Sequence, residues 1–310
     1  MSPASVVFRL LVFPGFLFAA VLGLMAGWLD RKVSARFQYR VGPPLFQNFN
    51  DVFKLMGKET ILPRSGLAWL FRTAPVLGWA VLTAVAALIG GPLFFGQGLG
   101  GDLVVVVYLL MFYSVAVVLG AASTGNVFSS LGAGREIKLL LADELAFFIV
   151  CLVPVIRSGY SLDLDRILAV QAERGAFLGS VSGALAFIVG LLAVQAKMAL
   201  PPFHIPEAET EIAEGPFLEY SGPLFAFWKI AQFMMYAVFP CLLILLFWGG
   251  FRLQGLGWLA AAGKYLLIIV LMIIIKNTNP RLRTDTALAF FWKIAAPLAV
   301  AAVVLAVLGV

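Results

Sequence analysis

Cysteine and histidine are almost absent from this chain of 310 residues, which has two cysteines and one histidine. The cysteines, Cys151 and Cys241, lie inside apolar runs without a CxxC spacing, and the histidine is His204. A four-ligand iron–sulfur cluster, a bis-histidine haem and a structural zinc site each require more ligands than these. We therefore expect that the chain binds no metal and no redox cofactor.

Charged residues are also scarce, at 12% of the chain, whereas hydrophobic residues make up 62%. Soluble globular proteins carry about 25% charge and are about half apolar, so that class is excluded. Disordered chains, collagen-like chains and disulfide-rich secreted domains are excluded as well, because they need low hydrophobicity, a glycine repeat or many cysteines. The composition indicates an integral membrane protein.

Long apolar runs are what the sequence has instead. A transmembrane helix needs about 20 mostly apolar residues to cross a hydrocarbon core of about 30 Å. Runs of this length cover Ser5–Trp28, Leu67–Leu88, Leu103–Ala122, Ile137–Val155, Ala176–Leu200, Leu218–Phe247, Leu256–Ile275 and Ala287–Leu308. We predict an all-α integral membrane protein, a bundle of about eight transmembrane helices with a charged cytoplasmic first loop and an acidic fifth loop, forming one membrane domain over residues 1–310.

The basic residues are distributed unevenly between the two faces of such a bundle. The loops of one face carry 14 lysines and arginines and those of the other face carry four. The positive-inside rule places the basic face in the cytoplasm. We therefore expect a multi-pass protein of the cell inner membrane with both termini outside. Because this bias accounts for the net charge of +6, nucleic acid is not an expected partner.

Ionisable residues occur at membrane depth, where they usually face the bundle interior and mark an ion path. Asp143 and Glu144 lie inside the fourth predicted span, and Glu136 near its start shares a helix face with Asp143. Adjacent helical residues point about 100° apart, so Asp143 and Glu144 are not expected to face one partner. Proton transfer by at least Glu144 is one interpretation, and a buried ion pair with a basic residue is the other.

The fifth loop has the densest acidic cluster, with Glu207, Glu209, Glu211, Glu214 and Glu219. If Pro206 opens a helix, the first, third and fourth of these glutamates share one face. Clustered carboxylates repel, so some would hold protons as a relay requires; the alternative is a solvated surface face. Lys229 in the sixth predicted span is the expected buried counter-charge.

The first loop, residues 30–66, mixes charge with aromatic residues. Its segment VFKLMGKE has amphipathic spacing, with Val52, Leu55 and Met56 on one side. It is either an interfacial helix on which a soluble partner docks or a positive-inside anchor that binds lipid head groups.

Four segments in order resemble one known family: RKVSARFQYRVGPPLFQNFNDVFKLMGKETILPRSG, GAGREIKLLLADEL, PPFHIPEAETEIAEGPFLEYSG and TNPRLRTDTALAFFW. They are similar to the H-subunit family of respiratory complex I, a membrane subunit of NADH dehydrogenase, and to its relatives in group 4 membrane-bound [NiFe] hydrogenases and membrane-bound sulfane sulfur reductases. The resemblance implies a non-redox subunit without catalytic residues, which docks a peripheral arm and couples its electron transfer to proton or sodium translocation. Its implied partners are the iron–sulfur small subunit and catalytic large subunit of a peripheral arm, antiporter-like and small membrane subunits, and lipid. Iron–sulfur clusters and a [NiFe] site would belong to those partner subunits.

The resemblance also implies roles for individual residues. A proton path would include Glu136, Asp143, Glu144, Glu207, Glu209, Glu211, Glu214, Glu219 and Lys229. Arm docking and the adjoining cavity would involve Arg31, Arg36, Arg40, Asp51, Lys54, Lys58, Glu59, Arg135, Lys197 and His204.

Departures from the quinone-reducing pattern favour the hydrogenase branch. The first loop is short, since Gly42-Pro43-Pro44 almost directly precedes Gln47, and Lys197 occupies a position at which a resemblance to quinone-reducing members would imply a glutamate. The alternatives are a quinone-site subunit of a complex I-type or ferredoxin-dependent oxidoreductase and a sulfur-reductase subunit. Remoter alternatives are a stand-alone secondary transporter and a structural anchor whose buried charges are inert.

Overall fold

The computed structural model describes residues 3–64, 66–252 and 254–310, without the side chain of Glu209. Helices account for most of these residues, and the described part of the chain has no strand beyond the single bridge between Asp102 and Asp163. The α-helices are α1 (Pro3–Leu11), α2 (Phe16–Phe37), α3 (Gln47–Met56), α4 (Ala68–Gly90), α5 (Leu103–Ala122), α6 (Val127–Arg157), α7 (Leu164–Arg174), α8 (Val181–Lys197), α9 (Glu209–Ile212), α10 (Gly222–Phe247), α11 (Gly257–Thr278), α12 (Thr284–Phe290) and α13 (Ala296–Val307). The predicted all-α membrane bundle is confirmed.

Seven helical segments of the described chain are long and apolar enough to cross a membrane. They are Pro3–Phe37, Ala68–Phe95, Leu103–Ala122, Val127–Arg157, Gly222–Phe247, Gly257–Thr278 and Thr284–Val307. The fifth predicted span, Ala176–Leu200, is instead the shorter apolar helix α8 of 17 residues. Its start is set by Ser180, whose side chain accepts a hydrogen bond from the Gly183 amide. Its end at Lys197 precedes a proline pair, at which helices stop.

Two helix boundaries differ from the prediction, and the second of them determines the surroundings of Glu136. The first apolar run is broken between α1 and α2, where Pro14 has no amide hydrogen and a Cβ on Gly15 would lie 1.8 Å from the Leu10 oxygen. The helix α6 begins at Val127, capped by the side chain of Asn126, rather than at Ile137. Arg135 and Glu136 are therefore helical residues.

The core lies around α10, which packs against α2, α4, α3 and α8. Trp228, Met234 and Leu242 of this helix are fully enclosed. At Gly23, a Cβ would lie 2.0 Å from the Phe233 oxygen, so only glycine permits the close approach of α2 to α10. The helix α6 packs against α8 and α13, which brings its buried carboxylates next to the end of α8.

The helix predicted in the first loop is present, whereas the helix predicted in the fifth loop is not. The amphipathic helix predicted in the first loop is present as α3, with Val52 buried and Phe53 exposed. The helix predicted to start at Pro206 is wrong, because this part of the fifth loop is a turn followed by the four-residue helix α9. Gly215 has a φ of +53°, and its backbone comes so close that a Cβ would lie 2.1 Å from the Pro206 oxygen. The chain thus folds back on itself and prevents a continuous helix.

Candidate functional site

A buried group of two carboxylates and one lysine joins α6 to α8. Asp143 is 1% exposed and Glu144 is 8% exposed. The Nζ atom of Lys197 lies 3.3 Å from Asp143 Oδ2 and also donates a hydrogen bond to Glu144 Oε2. The same ammonium lies 4.8 Å from the ring centroid of Phe147. We call Asp143, Glu144 and Lys197 the buried triad.

The buried triad corrects two expectations. Asp143 and Glu144 do face one partner, because the lysine side chain extends from α8 into the angle between the two adjacent carboxylates. Their counter-charge is Lys197 and not Lys229, which lies further along the chain in α10 beside the ring of Phe225. Adjacent helical residues diverge at the backbone, but the long lysine stem lets one ammonium reach both.

A small cavity of about 20 Å³ connects the buried triad to the acidic loop. Glu136, Lys197, Glu207 and Gln232 contribute to its lining. Glu207 accepts a hydrogen bond of 2.9 Å from Gln232 Nε2, which orients its carboxylate. A space of this size with several polar neighbours is sufficient for one water molecule. Glu136 and Lys197 therefore share a polar compartment with the start of the acidic loop.

The other glutamates of the fifth loop have separate environments rather than one common face. Glu211 forms an ion pair of 2.5 Å with Arg135 of α6. Glu219 accepts a hydrogen bond of 2.5 Å from Asn126 Nδ2. Glu214 lines a cavity of about 30 Å³ together with Glu207, Phe217 and Lys229. The side chain of Glu209 is outside the described residues.

A larger cavity of about 740 Å³ lies between α2, α3, α10 and the chain that follows α8. Its polar lining is mostly charged and consists of Asp30, Arg31, Asp51, Lys54, Lys58, His204, Glu207, Lys229, Gln232, Tyr236 and Lys276. We call this space the charged cavity. Glu207 and Lys229 line both the charged cavity and the small cavity beside Glu214, so these two side chains lie between the two spaces.

The first-loop residues predicted for docking separate into two groups. Four of them line the charged cavity, namely Arg31, Asp51, Lys54 and Lys58. The other three are not part of that lining, namely Arg36, Arg40 and Glu59. Arg31 donates hydrogen bonds of 2.7 Å to Asn48 Oδ1 and 3.2 Å to Asp51 Oδ2, which join α2 to α3. His204 Nδ1 lies 2.6 Å from the Ala199 oxygen, which holds the ring at the cavity wall.

A second buried ion pair at the charged cavity was not anticipated from the sequence. Asp30 is 3% exposed, and its Oδ2 accepts hydrogen bonds from Lys276 Nζ at 2.6 Å and from Tyr236 Oη at 2.9 Å. These bonds join α2, α10 and α11. The only sequence signal was an acid directly after an apolar run, and the partner 246 positions away could not be inferred from spacing.

Metal-binding groups are not evident in the part of the chain that the structure describes. No set of three or more histidine, cysteine or acidic side chains there has a geometry that could hold a metal ion. Cys151 and Cys241 are both buried free thiols.

The chain is similar to known membrane proteins over nearly its whole length. The model of the NADH dehydrogenase family matches residues 9–307. The H subunit of NADH-quinone oxidoreductase from Thermomicrobium roseum is 37% identical over 308 residues, covering 90% of this chain and 89% of the relative. The corresponding protein of Syntrophobacter fumaroxidans, the second H subunit of its NADH-quinone oxidoreductase, is 32% identical over 306 residues, covering 90% and 89%.

The fold is also similar to that of a solved structure. It is the membrane-bound sulfane sulfur reductase, an archaeal respiratory membrane complex, and one of its chains matches with a TM-score of 0.88 and 26% identity. The match covers 97% of this chain and 99% of that chain.

Proposed function

Since this chain belongs to the NADH dehydrogenase family of respiratory membrane subunits, we propose that it couples electron transfer in a docked peripheral arm to ion translocation. The resemblance to the H-subunit family is thereby confirmed. The chain is a multi-pass membrane subunit of an oxidoreductase complex, as its relatives are named. The proposed coupling rests chiefly on the continuous arrangement of charged groups between the charged cavity and the buried triad.

Charged groups lie between the charged cavity and the buried triad, so a change of charge in the cavity can alter the charge balance of the triad. Glu207 and Lys229 line the charged cavity, and Glu207 also lines the small cavity that contains Glu136 and Lys197. Lys197 in turn forms an ion pair with Asp143 and donates a hydrogen bond to Glu144. A change of charge in the charged cavity therefore acts on the triad through Glu207, which lines both spaces. Buried charges are weakly screened, so such a signal is not lost to solvent.

The buried triad has room for one further proton. When all three members are ionised, two carboxylates face one ammonium and a single negative charge remains. Two buried oxygens of the triad, Asp143 Oδ2 and Glu144 Oε1, have no hydrogen-bond partner among the described residues, and Asp143 Oδ2 lies 3.3 Å from the Lys197 ammonium. An uncompensated charge and an unpaired polar atom are both costly in the bundle interior. We assign proton uptake to this group, with Glu144 Oε1 as the accepting atom.

The cytoplasmic first loop provides the docking face in this proposal. Tyr39 and Val41 are almost completely exposed, and the arginines Arg36 and Arg40 lie beside them in the chain. Apolar and aromatic side chains beside arginines are typical of protein interfaces. The proposed partners are the iron–sulfur small subunit and the catalytic large subunit of the arm, which would hold the iron–sulfur clusters. Antiporter-like and small membrane subunits would continue the ion path.

A [NiFe] hydrogenase is the catalytic partner that we propose, supported by the short first loop and by Lys197 at the end of α8. A quinone-reducing complex is the second candidate, since the charged cavity of about 740 Å³ is large enough for a ring-shaped ligand. Co-purification distinguishes the two. A large subunit with four nickel-ligating cysteines supports the first candidate, whereas quinone-dependent activity with no nickel supports the second.

The coupling itself is tested in the intact complex in sealed membrane vesicles. Glu144→Gln should leave reduction of a soluble dye by the arm nearly intact while ion pumping falls. Glu173→Gln is the matched control, because Glu173 is exposed on the surface helix α7. Equal losses of both activities would contradict coupling, and unchanged pumping would favour an inert anchor. Transport by the purified chain alone would favour a secondary transporter.

The membrane orientation remains part of the proposal. We propose that the chain is one membrane domain of the cell inner membrane with both termini outside. Single cysteines at the exposed positions Tyr39 and Tyr160 should react with an impermeant thiol reagent from opposite faces. Reaction of Tyr39→Cys from outside in intact cells would reverse the assignment.

A further inference from the structure

An apolar groove of about 490 Å³ lies on the outer surface of the bundle, between α2, α10 and α11. Its floor includes Ala26, Cys241 and Tyr265, which are almost fully enclosed. Its rim includes Met25 and Trp258, which are about half exposed. The groove is separate from the charged cavity, since the two linings have no residue in common.

The few polar atoms of the groove are directed away from it. Tyr265 Oη donates a hydrogen bond of 2.9 Å to the Tyr236 oxygen. Trp28 Nε1 donates one of 3.1 Å to the Pro43 oxygen. Both rings therefore present only their apolar faces to the groove. The surface suits a hydrocarbon chain and offers nothing to a polar ligand.

The length of the groove corresponds to one leaflet of a bilayer. Along α2 it extends from Phe18 to Leu29, which is about 16 Å at the helical rise. That is about half of a hydrocarbon core of about 30 Å. Along α11 the lining runs from Trp258 to Leu266, which is about 12 Å at the helical rise. A transmembrane helix spans both leaflets, so a groove of this length suits an acyl chain better.

Positive charge lies at the open end of the groove. Phe251 and Trp258 line this end, and the exposed Arg252 follows Phe251 directly. Lys264 lies at the same end, since its Nζ donates hydrogen bonds of 2.7 Å to the Trp248 oxygen and 3.0 Å to the Gly250 oxygen. The connection from residue 248 to residue 257 contains no acidic residue. An anionic head group above the groove would thus meet positive charge without competition from a carboxylate of that connection.

We propose that this groove binds one acyl chain of an anionic phospholipid, with the phosphate at Arg252. The proposal concerns α11, which is only 33% buried within the chain over its most apolar part. The lipid covers the apolar surface that this helix leaves open against α2 and α10. Binding of this lipid does not depend on which peripheral arm docks on the first loop.

Native mass spectrometry of the purified full-length chain tests the groove, with phosphatidylglycerol and phosphatidylcholine as probes. Ala262→Trp fills the groove from an exposed position on its wall and should reduce retained phosphatidylglycerol by about tenfold. The matched control is Gly263→Trp, since Gly263 is the next residue, is not part of the lining and has open space around it. Retention that is equal in the two variants would overturn the proposal.

The head-group assignment has its own variant. Arg252→Gln should leave phosphatidylcholine retention unchanged and lower the preference for phosphatidylglycerol by about fivefold, as expected for one basic residue near an anionic group. Arg166→Gln, at another exposed arginine, should change neither value. An unchanged preference in Arg252→Gln would overturn the anionic part of the proposal.

Photocrosslinking in native membranes distinguishes lipid from protein as the occupant. A benzophenone amino acid at position 262 of the chain in its complex should crosslink to phospholipid. A dominant crosslink to another polypeptide would overturn the proposal in favour of a partner helix. Because neither readout depends on ion pumping, the lipid site and the coupling function can fail separately.

Discussion

The acidic residues inside the bundle and those of the fifth loop differ in how their charges are balanced. Asp143 and Glu144 are enclosed and share one cation, Lys197, whose side chain is 5% exposed. Glu211 in the loop is 61% exposed and has its own partner, Arg135. Water can replace a lost partner at the surface but not in the interior. The pairing is therefore essential to the buried triad and dispensable in the loop.

The largest effect is expected when the shared cation is removed. Lys197→Met should lower the free energy of unfolding by about 3–5 kcal/mol, because two buried carboxylates lose their counter-charge. Thermal unfolding of the purified chain in detergent measures this. Lys138→Met is the control, because Lys138 is exposed on the helix that carries the carboxylates, and it should change little. A similar small loss for both variants would show that the triad is solvated.

Neutralising all three members of the buried triad tests whether the loss of stability in Lys197→Met comes from unpaired charge. Lys197→Met combined with Asp143→Asn and Glu144→Gln should recover most of the lost stability, since well-packed neutral replacements of buried ion pairs are often tolerated. Ion pumping should remain lost, since no group of the triad that exchanges protons is left. If the combined variant is as unstable as Lys197→Met alone, the lysine acts by packing on Phe147 rather than by charge.

A smaller loss is expected at the ion pair in the wall of the charged cavity. Asp30→Asn should cost about 2–3 kcal/mol, because the Lys276 side chain is 24% exposed and can be partly hydrated. Asp51→Asn is the control, since the Asp51 carboxylate is 41% exposed beside Arg31. Denaturant unfolding of the two variants gives the difference. A larger loss in Asp51→Asn would contradict the assignment of Asp30 as the enclosed member.

The smallest effect is expected in the loop. Glu211→Gln should change stability by less than about 1 kcal/mol, because exposed ion pairs contribute little. The change should diminish further at high salt, which screens exposed charges. Unfolding at low and high ionic strength provides the measurement. A large loss that salt does not reduce would mean that the Glu211–Arg135 pair is shielded from solvent.

Much of the fold could be predicted because hydropathy is a local property. Seven of the expected spans coincide with helical segments that are long and apolar enough to cross a membrane. The break at Pro14 and Gly15 and the early start of α6 at Val127 were missed, since each depends on backbone contacts or a side-chain cap that hydropathy does not report. The loop after Pro206 was predicted as a helix because the fold-back at Gly215 cannot be read from acidic spacing.

The candidate site was only partly accessible from the sequence. The sequence identifies Glu144 and Glu207 as candidates because an ionised carboxylate is energetically unfavourable at membrane depth or in a dense acidic cluster. It does not identify their partners, since Lys197 lies 53 positions from Glu144 and Gln232 lies 25 positions from Glu207. Lys229 was favoured as the counter-charge because it follows the acidic loop in the next predicted span.

The class of protein, the approximate spans and the presence of acidic groups at depth all follow from the order of the residues. Each of these reflects the transfer of local segments between water and hydrocarbon. Three other features emerge only when the helices pack: Lys197 joins two adjacent carboxylates, Asp30 pairs with Lys276, and a groove remains open beside α11. They depend on how distant helices meet, because an ion pair acts across a few ångströms of space regardless of separation along the chain.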